Sequence, residues 1–594
     1  MARSEGPRPG RGSWIGLLVV LFFSLTGTPV RAAEPVRLEL TGVEGPARDN
    51  VLAMLAWPPG LIRNGQVDQR WLQRFAGQVP DLVRTALEPF GYYQARIQSS
   101  LEEPRPGNWL LKVAVEPSQP VRVSEVRVEV AGPGAARGAL RRLVEAFPLK
   151  EGDILLHQPY EDSKRELLGR AMSLGYLDAA FSRHEIRIDA ERRGAAINLV
   201  LETGPRYYFG EVSFEGAEDY PRPFLRRYLT FEPGDAYSQH SIGQSQINLL
   251  NSDRFRDVRF QPDREQEREG RIPLTVQLEQ SPSRRLRPGI GYGTDTGARM
   301  SLTYKDLNVW DRGHEWSAEL NLAEKTQLVG VAYLWPDPYS LQSLTAFRAG
   351  LEHKDVANVE SSKVSAEVER VREFGRGRKG SVFLNFFQEN FTIGEQEDSF
   401  RMILPGVRFS QRGYRDMVRP RGGYHYALEA RGGFPWLGSD TGVLQLLASG
   451  NTLVALPARW SLFARLDTAF SLQEEGLKAL PASLRFFAGG DRSVRGYGYQ
   501  TLGPRDSAGD VVGGRHLLVG SLELERAFGV NWGVAGFFDA GNAFNSFSNF
   551  DLAMGAGLGL RYYTPVGPIR LDVARQIDAD DPSFRLHFSI GFGW

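Results

Sequence analysis

The chain has 594 residues, enough for several folding units, and its 71 basic and 71 acidic side chains cancel to a formal net charge of zero. That balance removes the bulk positive charge expected of a nucleic-acid binder, so no nucleic-acid partner is expected. With no cysteine in the chain, disulfides, thiolate metal sites and cysteine nucleophiles are excluded together.

Arg3, Arg8 and Arg11 precede the apolar run "WIGLLVVLFFSL" (14–25), which gives way to small and turn residues ending "TPVRAAEP". This is the order of a secretory signal, and residues 1–32 are expected to be cut away after Ala32. That cut leaves Val30 third from the end, whereas cleavage after Ala33 would put the charged Arg31 there. An uncleaved anchor is the alternative, but the run is short of the roughly 20 residues of a membrane span. No later apolar run reaches about 18 residues, so no second membrane helix is expected.

From residue 33 to 281, strand-like and amphipathic helix-like runs alternate, and one pattern recurs three times. The junctions "LEPFGYYQARI" (87–97), "AMSLGYLDAAF" (171–181) and "LLNSDRFRDVRF" (249–260) each carry an aromatic between a helix and a strand. The strands "LLKVAVE", "INLVLE" and "LTVQLE" then close the units at Glu116, Glu202 and Glu279. A period of about 80 residues is long enough for a small core of its own. We therefore expect α+β units at 33–118, 119–203 and 204–281, each built from a strand, two helices and two strands.

From 282 to 594 the helical rhythm is replaced by alternating segments of about ten residues, rich in glycine, tyrosine, phenylalanine and arginine. In the last of them Leu586, Phe588, Ile590, Phe592 and Trp594 share one face, while Arg585, His587, Ser589, Gly591 and Gly593 share the other. A soluble sandwich could use the same alternation. In an exported chain, a closed transmembrane antiparallel β-barrel is the arrangement that satisfies every backbone group in lipid. About 310 residues at about 20 per strand and connection predict about 16 strands.

Enzymatic signatures are missing: there is no GxSxG, HExxH or P-loop. None of the eight histidines stands at metal-ligand spacing from another, so neither a metal site nor a cofactor is expected. In "GAGLGLRYY" (555–563), Gly555, Gly557 and Gly559 fall at period two, which places them on one strand face and not in a nucleotide loop. The expectation is a protein that is not an enzyme.

"GGDRSVRGYGYQTLGP" (489–504) sets Arg495 in a glycine-rich connection of roughly 25 residues, between the strand-like "ASLRFFAGG" and "RHLLVGSLELERAF". Its candidate acceptor is Asp539 in "GVAGFFDAGNAF". Phe537 and Gly541 lie on the face of Asp539, and Phe538 and Ala540 on the other. Two readings stay open on the residues alone: a desolvated clamp, or an exposed arginine worth about 0–1 kcal/mol.

"AGGDRSVRGYGYQTLGPRD" (488–506) resembles the sixth-loop motif of the superfamily of outer-membrane insertases with POTRA repeats, the BamA and TamA type. Val494, Arg495, Gly496 and Tyr497 form its VRG-aromatic core. "FFDAGNAF" (537–544), "GLGLRYYTPVGPIRLDVA" (557–574) and, less specifically, "LNVWDRGHEW" (307–316) resemble further barrel segments of the family. The resemblance implies that the repeats are POTRA units and that the loop reaches into the lumen. Arg495 then pairs with Asp539, with Gly541 beside it, as a structural clamp and not a catalyst.

Three repeats resemble most the TamA-type subgroup, which assembles autotransporters. The terminal Trp594 resembles a general barrel signal more than a feature of that subgroup. The resemblance implies a barrel in the bacterial outer-membrane bilayer, POTRA units in the periplasm, unfolded outer-membrane protein or autotransporter clients, and a TamB-like inner-membrane partner. A two-partner secretion transporter and a general BamA-like insertase are the alternatives.

The first barrel strand is expected in "RLRPGIGYGTD" (285–295), where Gly289, Gly291 and Gly293 share a face and Pro288 lacks a donor. Its partner is the last segment, with Ile590, Phe592 and Trp594. This lateral seam is the predicted weakest joint.

Overall fold

The structure, a computed structural model, describes residues 35–63, 66–189, 191–414, 422–564 and 567–590. The expected signal segment, Gly591, Phe592, Gly593 and Trp594 lie outside the described residues. The chain divides between Tyr207 and Tyr208 into two compact units.

The first unit holds two three-stranded sheets, Val36–Thr41 with Arg96–Arg105 and Asn108–Glu116, and Arg122–Ala131 with Ala180–Asp189 and Gly194–Glu202. In both, the strand that closes the repeat lies in the middle, parallel to the first strand and antiparallel to the second. The sequence dictates that position, because the closing strands carry the most regular apolar alternation. Leu111, Val113 and Val115, then Ala195, Ile197, Leu199 and Leu201, are all buried. Helix Gln69–Leu87 covers the first sheet with Leu72, Phe75, Val79, Val83 and Ala86 at helical spacing, and its N-terminus is capped by Asp68, which accepts from Trp71 N at 3.0 Å.

The repeat junctions need a left-handed residue to leave the helix. Gly91 (φ 87°) and Gly175 (φ 95°) supply it in the first two repeats, and Asp253 (φ 63°) in the third, since a short polar side chain tolerates that region.

Within the first unit, Tyr93 Oη and His157 Nε2 lie 2.6 Å apart. Burial pushes the Tyr93 hydroxyl up to about 12, so it donates. Burial also holds His157 below its ordinary value, against the pull of Glu88 and Glu161. The unfolded chain therefore takes up this proton first. The stability contributed is complete above about pH 6.5 and is lost as pH falls through the lower folded value. Backbone protection around 91–93 and 154–157, corrected for intrinsic exchange, is expected to drop between pH 7 and pH 5, and H157Q is expected to abolish that difference.

The second unit begins with the third sheet, Tyr208–Glu215, Phe255–Pro262 and the central Arg271–Gln280. It is fastened to the barrel that follows. Arg254 Nη2 donates to Gly313 O (3.1 Å), Arg227 Nη1 to Asp337 O (3.2 Å) and Asn308 Nδ2 to Asp219 O (3.0 Å). Gly313 has no side chain because the Phe224 ring occupies the space, 2.4 Å from where a Cβ would stand.

Sixteen strands, from Arg284–Gly293 to Phe584–Ile590, pair in sequence order and close into a barrel, as the sequence predicts. The thirteenth, Trp532–Phe544, shows why. Trp532, Val534 and Phe538 point out toward lipid, while Ala535, Phe537, Asp539 and Gly541 are buried inside.

The loop between the eleventh and twelfth strands is longer than expected. The eleventh ends at Leu472 and the twelfth begins at His516, and "ASLRFFAGG" is not a barrel strand. Ala482–Leu484 form a 3-10 turn, and Phe486 and Ala488 make only isolated bridges to Gly514 and Leu502. The apolar residues that read as a strand are satisfied by the inner wall instead. Leu480 and Leu484 pack on Phe387, Met402, Leu404 and Val443, and Ala482 packs on Phe391 and Ile393.

Candidate functional site

The inward faces of four consecutive strands build the seat of the loop. The twelfth (His516–Phe528) offers Ser521 and Glu523, and the thirteenth Phe537 and Asp539. The fourteenth (Ala553–Thr564) contributes Gly555 and Arg561, and the fifteenth (Gly567–Gln576) Asp572. Register sets Ser521 opposite Asp539, Asp539 opposite Gly555 and Gly559 opposite Asp572.

Arg495 enters this seat 6% exposed. Its Nε and Nη2 donate to the two oxygens of Asp539 at 2.7 and 2.9 Å, and its backbone N donates to Oδ2 at 3.1 Å. Nη1 reaches Glu523 Oε2 (2.9 Å) and Asp572 Oδ2 (3.0 Å), and the guanidinium lies 3.4 Å from the centroid of the Phe537 ring. Asp539 is fully buried and also accepts from Ser521 Oγ at 2.5 Å. Arg561 Nη2 donates to Glu523 Oε1 at 2.9 Å, and its Nη1 binds Asp572. Two guanidinium groups thus hold three carboxylates in a lumen shielded from solvent, and the bland reading of an exposed arginine is gone.

The glycine face of the fourteenth strand is what lets the loop lie so close. A Cβ on Gly555 would stand 1.9 Å from Arg495 O. Gly496 (φ 98°) turns the chain so that its N donates to His587 Nε2 (3.0 Å) while its O accepts from Gln576 Nε2 (3.1 Å). Val494 is buried against Ala488 and Val519, and Tyr497 Oη donates to Asp578 Oδ1 at 2.8 Å. Gly541 lies on the same strand as Asp539. A Cβ there would lie 2.2 Å from Leu518 O, so its role is close approach to the twelfth strand.

Glu523, Asp572, Ser521 and Arg561 escaped the sequence reading. The signal that finds them is charge on the inward parity of lipid-facing strands, where an ionisable group is costly unless paired.

At the seam, the first strand pairs with the second across ten residue pairs, Arg284↔Asp306 to Gly293↔Gly297. Among the described residues it pairs with the last strand only at Gly293↔Ser589. Thr294 adds two contacts, donating its N to Phe588 O and accepting from Phe588 N at Oγ1, both 3.3 Å. Arg299 of the second strand crosses the first to donate Nη2 to Ile590 O at 3.0 Å. It passes over Gly291, whose missing Cβ would lie 2.7 Å from Arg299 Nε, and Gly289 likewise leaves room for Ser301. Ile290 faces outward, 92% exposed.

A sequence profile described as the Omp85 superfamily domain matches residues 291–594. Profiles described as POTRA domain TamA domain 1 and as surface antigen variable number repeat (POTRA) match 37–117 and 207–281. The outer membrane protein assembly factor BamA of Nitratidesulfovibrio vulgaris is 22% identical over 447 residues, covering 70% of this chain and 55% of the relative. That of Buchnera aphidicola is 21% identical over 215 residues, covering 36% and 34%. The chain thus spans about half, or less, of the curated relatives it matches. The crystal structure of BamA from Haemophilus ducreyi lacking POTRA domains 1–3 superposes with a TM-score of 0.66 at 17% identity, over 79% of this chain and 99% of that one, and shows the same fold. The barrel sits in the outer membrane and the three repeats are POTRA-like units in the periplasm. With half its length under one family profile, and the POTRA units and closed barrel that go with it, the chain belongs to the Omp85 superfamily.

Proposed function

We propose that this protein is an assembly factor of the TamA type, which inserts β-barrel or autotransporter clients into the outer membrane at the lateral seam. The observation that carries the reading is the seam itself: among the described residues, one strand pair holds the first strand to the last, against ten on its other side. When that joint opens, the first strand presents unpaired backbone groups to which a client strand adds by β-augmentation, and successive client strands follow until the product leaves into lipid. Backbone pairing supplies the driving force, so the step is not enzymatic and consumes no nucleotide. The seated loop keeps the wall beside the moving edge rigid.

Three POTRA units, with a TamA-specific profile on the first, support the subgroup. Their sheet edges are the surfaces offered to clients and to a TamB-like inner-membrane partner. The similarity of this chain to curated BamA proteins supports a general insertase as the second reading.

Depletion followed by mass spectrometry of the outer membrane separates them. The expected result is selective loss of autotransporters or large barrels in viable cells. Loss of nearly all barrels with death makes the protein a general insertase, and loss of one secreted protein alone makes it a two-partner secretion transporter.

A further inference from the structure

Beside the seam, three side chains from distant parts of the chain meet. Asp295 comes from the turn after the first strand, Asp491 from the loop and His587 from the last strand, and their ligand atoms lie within 4.8 Å of one another. His587 Nε2 accepts from Gly496 N, so the imidazole is neutral and carries its proton on Nδ1, which donates to Asp491 Oδ1 at 2.5 Å. Thr294 Oγ1 donates to the same carboxylate, 2.9 Å from Oδ1 and 3.1 Å from Oδ2. Asp295 Oδ2 accepts from Asp491 N at 2.7 Å. Its other oxygen, Oδ1, is buried with no hydrogen-bond partner, on a residue only 8% exposed.

The contrast with the Arg495 seat is informative. There, each buried carboxylate faces a guanidinium. Here, among the described residues, neither Asp295 nor Asp491 pairs with an arginine or lysine, and the one histidine is neutral. A buried carboxylate beside a partly buried one, with no paired cation, is costly, and an orphaned oxygen has forfeited its hydration without compensation.

We propose that Asp295, Asp491 and His587 form a divalent-cation site of the zinc class that staples the seam. This rests on the reading of the seam as the moving joint. One imidazole nitrogen with two carboxylate oxygens suits zinc, whereas magnesium and calcium prefer oxygen donors alone. On binding, the ring proton passes from Nδ1 to Nε2 by exchange with solvent, so that the neutral imidazole gives its Nδ1 lone pair to the metal; Gly496 N–H is released from the ring, and the hydrogen bond to Asp491 is exchanged for coordination by that carboxylate. The unpaired Asp295 oxygen is the third donor, and Thr294 Oγ1 lies beside the site. The three ligands belong to the first strand's turn, the loop and the last strand. A bound ion therefore ties both edges of the seam to the loop seated on the wall, and holds the barrel shut.

The test uses the full-length mature protein in detergent micelles, stripped with a chelator and titrated with Zn2+ alone. Elemental analysis after dialysis is expected to show one zinc per chain that D295N and H587Q each weaken about 100-fold, while both variants keep the heat-modifiable mobility of the folded barrel. Amide exchange of 289–293 and 584–590 is expected to slow on adding Zn2+ to the wild type, with no effect of Mg2+. A wild type that retains no zinc overturns the site whatever the variants do, as does equal retention by wild type and both variants. Zinc bound at one per chain with unchanged exchange at the seam overturns the staple. None of these readouts involves a client, so they stand apart from the test of the assembly reading.

Discussion

Arg495→Ala is expected to destabilise the barrel by about 3–5 kcal/mol, the cost of leaving buried carboxylates without their cation. Removing this side chain strips Asp539 of both its guanidinium bonds and leaves Glu523 and Asp572 to share Arg561. It also removes the group lying over the Phe537 ring. The loop then keeps its backbone contacts to Asp539 and His587 but loses its anchor in the wall. Arg495→Lys restores charge without the two-pronged geometry and is expected to recover only part of the loss. Asp539→Asn is expected to be nearly as harmful as Arg495→Ala, and the double replacement is expected to cost less than the sum of the two, because both break one network. Denaturant midpoints and protease sensitivity of residues 489–504 measure this. A wild-type midpoint for Arg495→Ala would show that the network carries no stability.

Joining the seam covalently is expected to reduce client insertion to background. Gly293 and Ser589 are the paired residues, so the disulfide belongs there and not between 290 and 590, where Ile290 faces outward. A Cβ at Gly293 meets only Thr296 Oγ1 at 3.5 Å and Phe588 O at 3.9 Å, ordinary contacts. The chain has no native cysteine, so G293C with S589C forms the sole intramolecular pair. A second pair, G520C with A540C, joins strands that have no reason to part, and is expected to leave insertion unchanged. Reductant is expected to restore the seam-locked protein. Full insertion by the oxidised seam pair sinks the opening mechanism.

The sequence carried the parity of each strand and little of its register. Trp532, Val534 and Phe538 announce a lipid face, and with it the inward direction of Asp539, from spacing alone. Which inward residues meet depends on the offset between neighbouring strands. Glu523, Arg561 and Asp572 could not be joined to Arg495 until that offset was known. The Arg495–Asp539 pair came from a family resemblance and not from periodicity. The loop was misread because Leu480, Ala482 and Leu484 alternate as a strand does, yet they bury against the inner wall with no ladder. Histidine spacing could not show this cluster either, because His587 meets Asp295 and Asp491 only through the closure of the barrel.

The third periplasmic unit is a handle, and it is attached to one side of the joint. It holds the turn after the second strand through Arg254 and Gly313, and the turn after the fourth through Arg227 and Asp337. It also holds the first strand itself, where Arg285 reaches the side chain of Asp253. The last strand hangs from the fifteenth, Ile569↔Ile590 to Arg575↔Phe584, and among the described residues meets the first at a single pair. A force on the handle is therefore delivered to one lip of the seam and not the other. A pull on the periplasmic end thus loads the joint in shear, through one edge alone.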